Sequence, residues 1–201
     1  MPRAFTETEK EIIRKQMREK GKILFEKQGI RKTTIEELSL AAGISKGAFY
    51  KFYDSKEELY LEILEEFERE IQLQIIQFAV DPGDDAQENL LNLLRNLFLT
   101  MDDYPILENI HSNDVEYLTR RIPAERIQQH AAGDREFAAG LMNKFNQEGI
   151  TLTASPRVIS NLLKGIFFIW LHREDFEKDE FEELFNTLLS LAAGYITGKI
   201  Q

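Results

Sequence analysis

The stretch TTIEELSLAAGISKGAFYKFYDSKEEL, residues 33–59, contains two helix starts separated by a tight turn. Thr34 precedes apolar residues at helical spacing, and Glu37 follows three residues later, which is the arrangement of a capping box. Gly43 is typical of a helix end, and Ser45 is typical of a helix N-cap. Because the turn between them is so short, the two helices must cross steeply. The stretch therefore predicts a helix-turn-helix.

The second helix of this motif is predicted to run from about Lys46 to Tyr53. Phe49 and Tyr53 lie one helical turn apart and, with Ile44, are expected to face the core. The opposite side carries cations, a phenol and small residues, namely Lys46, Gly47, Ala48, Tyr50 and Lys51. This composition favours insertion of the helix into the major groove of DNA. Ser55 is predicted to cap a third helix, at whose start Lys56 favours a phosphate contact.

At these residues the chain resembles the tetracycline-repressor (TetR) family of bacterial regulators. The positions that match the family pattern are Thr33, Thr34, Ile35, Ala42, Gly43, Ile44, Ser45, Gly47, Tyr50, Tyr53, Lys56, Glu57 and Leu59. Ser39 and Tyr53 depart from the usual residues in a way that we expect to be tolerated. Phe52 stands where the family often has Tyr or His. It lacks a hydrogen-bonding group, so either contact with a thymine methyl or simple packing stays open.

The predicted DNA contacts divide into two kinds. Contacts in the groove are assigned to Lys46, Gly47, Ala48 and Lys51, with Ser45 and Phe52 on the same surface. Contacts to phosphates are assigned to Thr33, Thr34, Tyr50 and Lys56.

The charge is unevenly distributed along the chain, which has 201 residues and a net charge of -10. Residues 1–56 hold 13 Lys and Arg against 8 Asp and Glu, whereas the remainder holds 12 against 27. Electrostatic attraction acts over a Debye length of about 10 Å, so a basic head can bind DNA while a distant acidic body does not. There is no cysteine, which excludes disulfides and thiolate metal sites. Without a signal peptide or an apolar run of membrane-spanning length, we expect a cytoplasmic protein with no membrane partner, and the resemblance implies that it is bacterial.

No period of two appears along the chain, and the helical pattern predicts an all-α protein. A first helix is expected from Thr6 or Thr8 to Gln28, with Gly21 at a close helix crossing. The next long helices are expected at about 56–79 and 86–101, followed by shorter helices interrupted at residues 112–114 and at Pro123. A longer helix to Glu148 and two final helices, at about 156–173 and 177–197, complete the prediction. We predict a helix-turn-helix domain over residues 1–55 and a ligand-binding and dimerisation domain over residues 56–201.

The last two helices are apolar over more than one stripe, so something must cover both faces. The resemblance to the family implies that they pair with their twofold mates in a homodimer; the alternative is a core within one chain. The candidate interface residues are Phe167, Trp170, Leu184, Leu188, Ala192 and Tyr195. A dimer is also favoured on physical grounds, because one short recognition helix makes few base contacts. Two of them about 34 to 36 Å apart can bind both halves of a palindromic operator.

The middle helices offer aromatic and polar residues for an effector pocket. The candidates are Phe98, Met101, Tyr104, Asn109, His111, Tyr117, Phe137, Asn161 and Phe168. Plain core packing is the alternative for each of them. The resemblance implies that a small lipophilic or aromatic effector bound here releases the DNA.

Motifs for chemistry are sparse in this sequence. Glu108 and His111 form one Glu-x-x-His step, but a di-iron site needs two, so we predict no metal. We also predict no cofactor and no enzymatic activity, since neither a nucleophile elbow nor a phosphate-binding loop is present. The prediction is a ligand-responsive repressor. A helical carrier or enzyme-like bundle and a DNA-binding activator without a ligand remain as alternatives.

Overall fold

The computed structural model describes residues 5–78, 81, 85–108, 110 and 112–200, excluding the side chains of residues 108, 112 and 113. Within these ranges the chain is all-helical and contains no strand. The helices are α1 (Glu7–Lys32), α2 (Ile35–Ala41), α3 (Lys46–Phe49), α4 (Lys56–Gln77), α5 (Ala86–Met101), α6 (Pro105–Glu108), α7 (Ser112–Arg121), α8 (Ala124–Gln147), α9 (Pro156–Leu171) and α10 (Lys178–Ile196). No helix in the described ranges is both long and apolar enough to cross a membrane.

Local capping signals locate the helix starts well. Thr6 forms a capping box with Glu9, which decides between the two predicted starts of α1. Ser155 caps α9, and α5 begins and ends where the sequence predicts. Gly29, with φ of 72°, kinks α1 at the predicted end, but a further turn continues to Lys32. The predicted break at residues 112–114 is wrong, because these residues form the first turn of α7.

The described chain divides into two compact units, which are Met1–Arg69 with Pro105–Ile122 (unit 1) and Glu70–Tyr104 with Pro123–Gln201 (unit 2). Helix α4 contributes residues to both. The predicted domain boundary at residues 55 and 56 stays a prediction.

Unit 1 is built around the crossing of α1 with α2 and α4. Phe25 of α1 is fully buried and meets Tyr60 of α4 edge to face, with ring centroids 4.9 Å apart. A Cβ on Gly21 would lie 3.3 Å from side-chain atoms of both Leu59 and Ile63. This confirms the close approach predicted at Gly21, since a larger side chain there requires these neighbours to move.

Unit 2 has an aromatic core between α5, α9 and α10. Phe98 meets Phe185 edge to face at 4.9 Å, and Phe181 stacks on Phe185 at 5.1 Å. Trp170 lies beside Phe98, with centroids 6.5 Å apart, and is almost fully buried. The apolar face of α10 is thus covered by residues of its own chain over part of its width.

Candidate nucleic-acid interface

The turn between α2 and α3 is stabilised by backbone hydrogen bonds that close the end of α2. The Gly43 N–H donates to the Leu40 carbonyl at 3.1 Å, and the Ile44 N–H donates to the Ser39 carbonyl at 2.9 Å. This pair of bonds is a Schellman motif, which requires a left-handed residue, and Gly43 has φ of 69°. The Ala48 N–H then donates to the Ser45 hydroxyl at 3.2 Å, so that α3 begins directly after the turn. The helix-turn-helix is confirmed.

Helix α3 is shorter than predicted, because it ends at Phe49 instead of Tyr53. The Lys51 and Phe52 N–H groups donate to carbonyls three residues back, which tightens the chain into a turn. Phe49 and Tyr53 both remain buried, with rings 5.9 Å apart. Both rings therefore reach the core, as predicted, although the helix ends before Tyr53.

The exposed side of α3 and the turn after it carries most of the predicted groove residues. Its exposed members are Ser45, Lys46, Gly47, Tyr50 and Lys51. Ala48 is instead buried beside Phe49, so its predicted groove contact is wrong. The helix has four residues, and its buried side includes both Ala48 and Phe49.

Phe52 is half-buried and packs against another aromatic side chain of unit 1. The Phe5 ring lies 5.8 Å from it, and the Lys51 ammonium lies 5.4 Å from the Phe5 centroid. Of the two interpretations of Phe52, packing is the one that these contacts support.

Thr33 and Lys56 have structural roles in this arrangement instead of the predicted phosphate contacts. The buried Thr33 hydroxyl donates to the Gly29 carbonyl at 2.8 Å. The Lys56 ammonium donates to the carbonyls of Ile30, Arg31 and Thr33 at 2.7, 3.2 and 2.6 Å. Because an ammonium has three N–H donors, these contacts use all of them. Burial lowers the pKa of Lys56 below its usual value, while the neighbouring Glu57 carboxylate opposes this shift.

Thr34 remains at the surface, at the start of α2. Its hydroxyl accepts from the Glu37 N–H at 3.2 Å, and its own N–H donates to the Glu37 carboxylate at 2.8 Å. The hydrogen bonds from Thr34 hold the pKa of the Glu37 carboxyl below its usual value. The capping box is confirmed, and the exposed position of Thr34 is compatible with the predicted phosphate contact.

A second acidic residue of α2 lies next to α3. Glu36 forms an ion pair with Lys46, and both side chains are more than half exposed. The hydrogen bond from Lys46 lowers the pKa of Glu36, and the same contact raises the pKa of Lys46. The sequence prediction missed this pair, because the two residues are ten positions apart on different helices.

Unit 1 also contains a polar cluster that joins α7 to α1 and α4. Arg31 Nε donates to Asp114 at 2.7 Å, and the Tyr117 hydroxyl donates to Glu57. Both carboxylates are almost fully buried. The outer side of this cluster is an open cleft of about 670 Å³, lined by Arg31, Glu116, Tyr117, Arg120 and Arg121. Tyr117 was predicted for an effector pocket, but its hydroxyl is bonded within unit 1.

The alkaline stability of the protein should report on this cluster. Burial, together with the hydrogen bond to Glu57, raises the pKa of Tyr117 to about 12. Between pH 10 and about 12 the unfolded phenol loses its proton while the folded one keeps it, so the free energy of unfolding falls as pH rises. Tyr117→Phe should reduce the slope of that fall by up to about one proton, measured by urea unfolding at several pH values. Equal slopes for the two proteins would contradict the assignment, because the other tyrosines contribute equally to both.

The remaining effector candidates that the structure describes belong to unit 2, and they differ in exposure. Phe98 and Met101 are buried, whereas Tyr104, Phe137 and Phe168 are half-buried. Asn161 is exposed on α9, which argues against a role as a buried polar anchor. Asn109 and His111 lie outside the described residues.

The predicted interface residues of α9 and α10 divide into two groups. Trp170 and Ala192 are buried inside unit 2, so the prediction that they face a partner is wrong. Helical spacing alone did not distinguish the apolar face that packs within the chain from the one that stays exposed. Phe167 and Leu188 are half-buried, and Leu184 and Tyr195 are exposed. Leu191, which the sequence prediction omitted, is exposed as well.

Comparison with known proteins agrees with this geometry. Residues 19–63 match the family model described as "Bacterial regulatory proteins, tetR family". The HTH-type transcriptional repressor DhaR of Mycobacterium sp. (strain GP1) is 28% identical over 151 residues, covering 75% of this chain and 76% of that protein.

Two solved structures with the same fold carry ligands. FadR of Thermus thermophilus, a TetR family transcriptional repressor in complex with lauroyl-CoA, has a TM-score of 0.64 at 18% identity and covers 91% of this chain and 94% of its own. The transcriptional regulator FadR of Bacillus subtilis, in complex with stearoyl-CoA, has a TM-score of 0.60 at 16% identity and covers 90% and 98%. At these identities the likeness concerns the fold.

Proposed function

We propose that this chain, which belongs to the tetR family of bacterial regulatory proteins, is a repressor that binds a palindromic operator as a homodimer and is released by a small ligand. The chain is a DNA-binding transcriptional regulator, like its relatives, and not an enzyme. The observation that carries the proposal is the exposed side of α3 and the following turn. This side presents Lys46, Gly47, Tyr50 and Lys51 to solvent, while Phe49 on the opposite side is buried in the core. We place its action in the bacterial cytoplasm, where its operator lies.

The proposed DNA contacts follow from this exposure. Lys46 and Lys51 supply donors for base edges or phosphates, and Gly47 permits close approach of the backbone. Tyr50 and Thr34 supply hydroxyls for phosphates, and the exposed Ser45 begins the helix. Because α3 has four residues, one copy offers few base contacts, and a second copy at half-site spacing is needed for specific binding.

The proposed dimer uses an exposed apolar stripe on α10. Leu184, Leu191 and Tyr195 are 37%, 49% and 45% exposed, and Leu188 lies between them at helical spacing. The residues are at positions i, i+4, i+7 and i+11, so they form one continuous stripe. Val158 of the neighbouring helix α9 is exposed as well. Four such helices, two from each subunit, would cover these stripes from water.

The proposed effector is a lipophilic or aromatic molecule that binds unit 2. The half-buried aromatic residues Tyr104, Phe137 and Phe168 are the candidates for its lining. The acyl-CoA complexes of the two FadR proteins make lauroyl-CoA and stearoyl-CoA the first probes. An effector that prefers the released state lowers operator affinity by mass action.

The decisive experiment selects bound fragments from sheared genomic DNA of the source organism and determines their common sequence. We expect a palindrome whose half-sites lie about one helical turn apart, near a promoter. A Tyr50→Ala/Lys51→Ala variant, both of whose positions are exposed, should remain folded and lose the selected fragments. Recovery of random fragments by wild type would overturn the proposal. Release of the DNA by one of the two acyl-CoA probes would identify the effector class. An operator far upstream of the promoter would indicate an activator instead of a repressor.

A further inference from the structure

The ion pair between Glu36 and Lys46 joins the two helices of the helix-turn-helix at their starts. Glu36 is in the first turn of α2, and Lys46 is the first residue of α3. Their side chains are 61% and 52% exposed, so the pair lies at the surface. Tyr50 follows Lys46 by four residues and is also exposed, which places the pair beside the proposed DNA contacts.

A carboxylate at this position opposes sequence-independent binding. Affinity for random DNA depends on the release of counterions when cations neutralise phosphates. Glu36 already neutralises Lys46, and its own charge repels phosphates. A hydrogen-bond donor on the DNA that faces Glu36 would offset this loss of affinity, and random DNA does not provide one at a fixed position.

We propose that Glu36 is a specificity-determining residue, which restrains Lys46 on random DNA and accepts a hydrogen bond from a base in the operator. This rests on the proposed DNA-binding function. In the major groove a lysine donates to O6 or N7 of guanine, and a carboxylate accepts from N4 of cytosine. A G·C base pair presents these two edges side by side. The Lys46 and Glu36 pair is therefore complementary to a G·C pair. On the operator, Lys46 would leave Glu36 and donate to guanine, and Glu36 would accept from cytosine.

The test compares Glu36→Gln with Glu116→Gln as a matched control. Glu116 is 62% exposed and is also paired with one cation, Arg120, but on α7. Binding to the selected operator and to a random duplex of equal length is measured by fluorescence anisotropy at several salt concentrations. We expect Glu36→Gln to bind the random duplex about fivefold more tightly near 0.15 M salt, with a salt slope steeper by about 0.9 per subunit.

The ratio of operator affinity to random affinity should fall about fivefold or more in Glu36→Gln and stay unchanged in Glu116→Gln. In wild type, replacing one G·C pair in each half-site should weaken binding at least fivefold, and Glu36→Ala, which removes the acceptor that glutamine retains, should reduce that penalty. An unchanged ratio in Glu36→Gln, or an equal change in both variants, would overturn this inference while the proposed function stands. Failure of wild type to prefer any DNA sequence would reject the proposed function and this inference with it.

Discussion

Lys56→Met should lower the free energy of unfolding by about 2 to 3 kcal/mol, because it removes a charged group that donates to three backbone carbonyls. The carbonyls belong to Ile30, Arg31 and Thr33, at the junction between α1 and α2. Methionine preserves the unbranched side chain as far as Cε but lacks the ammonium, so these acceptors lose their partner. The measurement is urea unfolding followed by circular dichroism.

The same substitution should weaken operator binding by more than tenfold. Lys56 is the first residue of α4, and its contacts attach the start of that helix to the chain just before Thr34, where α2 begins. Loss of the attachment loosens the position of α2 and, through the turn, of α3. The control is Lys20→Met, an exposed residue of α1 with the same change of charge, which should alter stability by less than about 0.5 kcal/mol. Equal stability of Lys56→Met and wild type would return Lys56 to the simpler role of a phosphate contact.

Leu191→Glu should abolish the proposed dimer and reduce operator affinity at least 100-fold. In a twofold interface each substitution occurs twice, and burying an unpaired carboxylate in an apolar contact costs several kcal/mol. Leu191 is 49% exposed in the single chain, so the fold of the subunit should persist. Analytical ultracentrifugation would show a monomer, and circular dichroism would show an unchanged helix content.

Asn186→Asp is the matched control for this experiment. It adds one negative charge to the same helix, on the side away from the stripe, and preserves the acceptor that receives the Arg95 N–H at 3.2 Å. We expect it to leave both the oligomeric state and operator binding unchanged. A monomeric wild type, or a Leu191→Glu variant that remains dimeric, would show that the partner surface is not the α10 stripe.

Features that depend on neighbours in sequence were predictable. Capping boxes at Thr6 and Thr34 join residues three positions apart, so residue type and spacing suffice to identify them. The bounds of α5 followed from its apolar period and the flanking aspartates. For the same reason the helix-turn-helix was recognisable from a single stretch.

Features that depend on distant residues were not predictable. Asp114 and Arg31 are 83 positions apart, and nothing near either residue indicates the pair. The two apolar faces of α10 look alike in sequence, and burial by α5 and α9 separates Ala192 from Leu191.

Residue type and spacing suffice to predict that residues 33–59 form two crossed helices with a basic surface that DNA can approach closely, because caps, turns and periodicity act over a few residues. Which of those residues are available to DNA depends on tertiary packing. It committed Lys56 to three carbonyls and buried Ala48, while leaving Lys46 paired with Glu36 at the surface. The physical reason is that a side chain's partners are set by which helices meet, and a cation already surrounded by acceptors has no donor left for a phosphate.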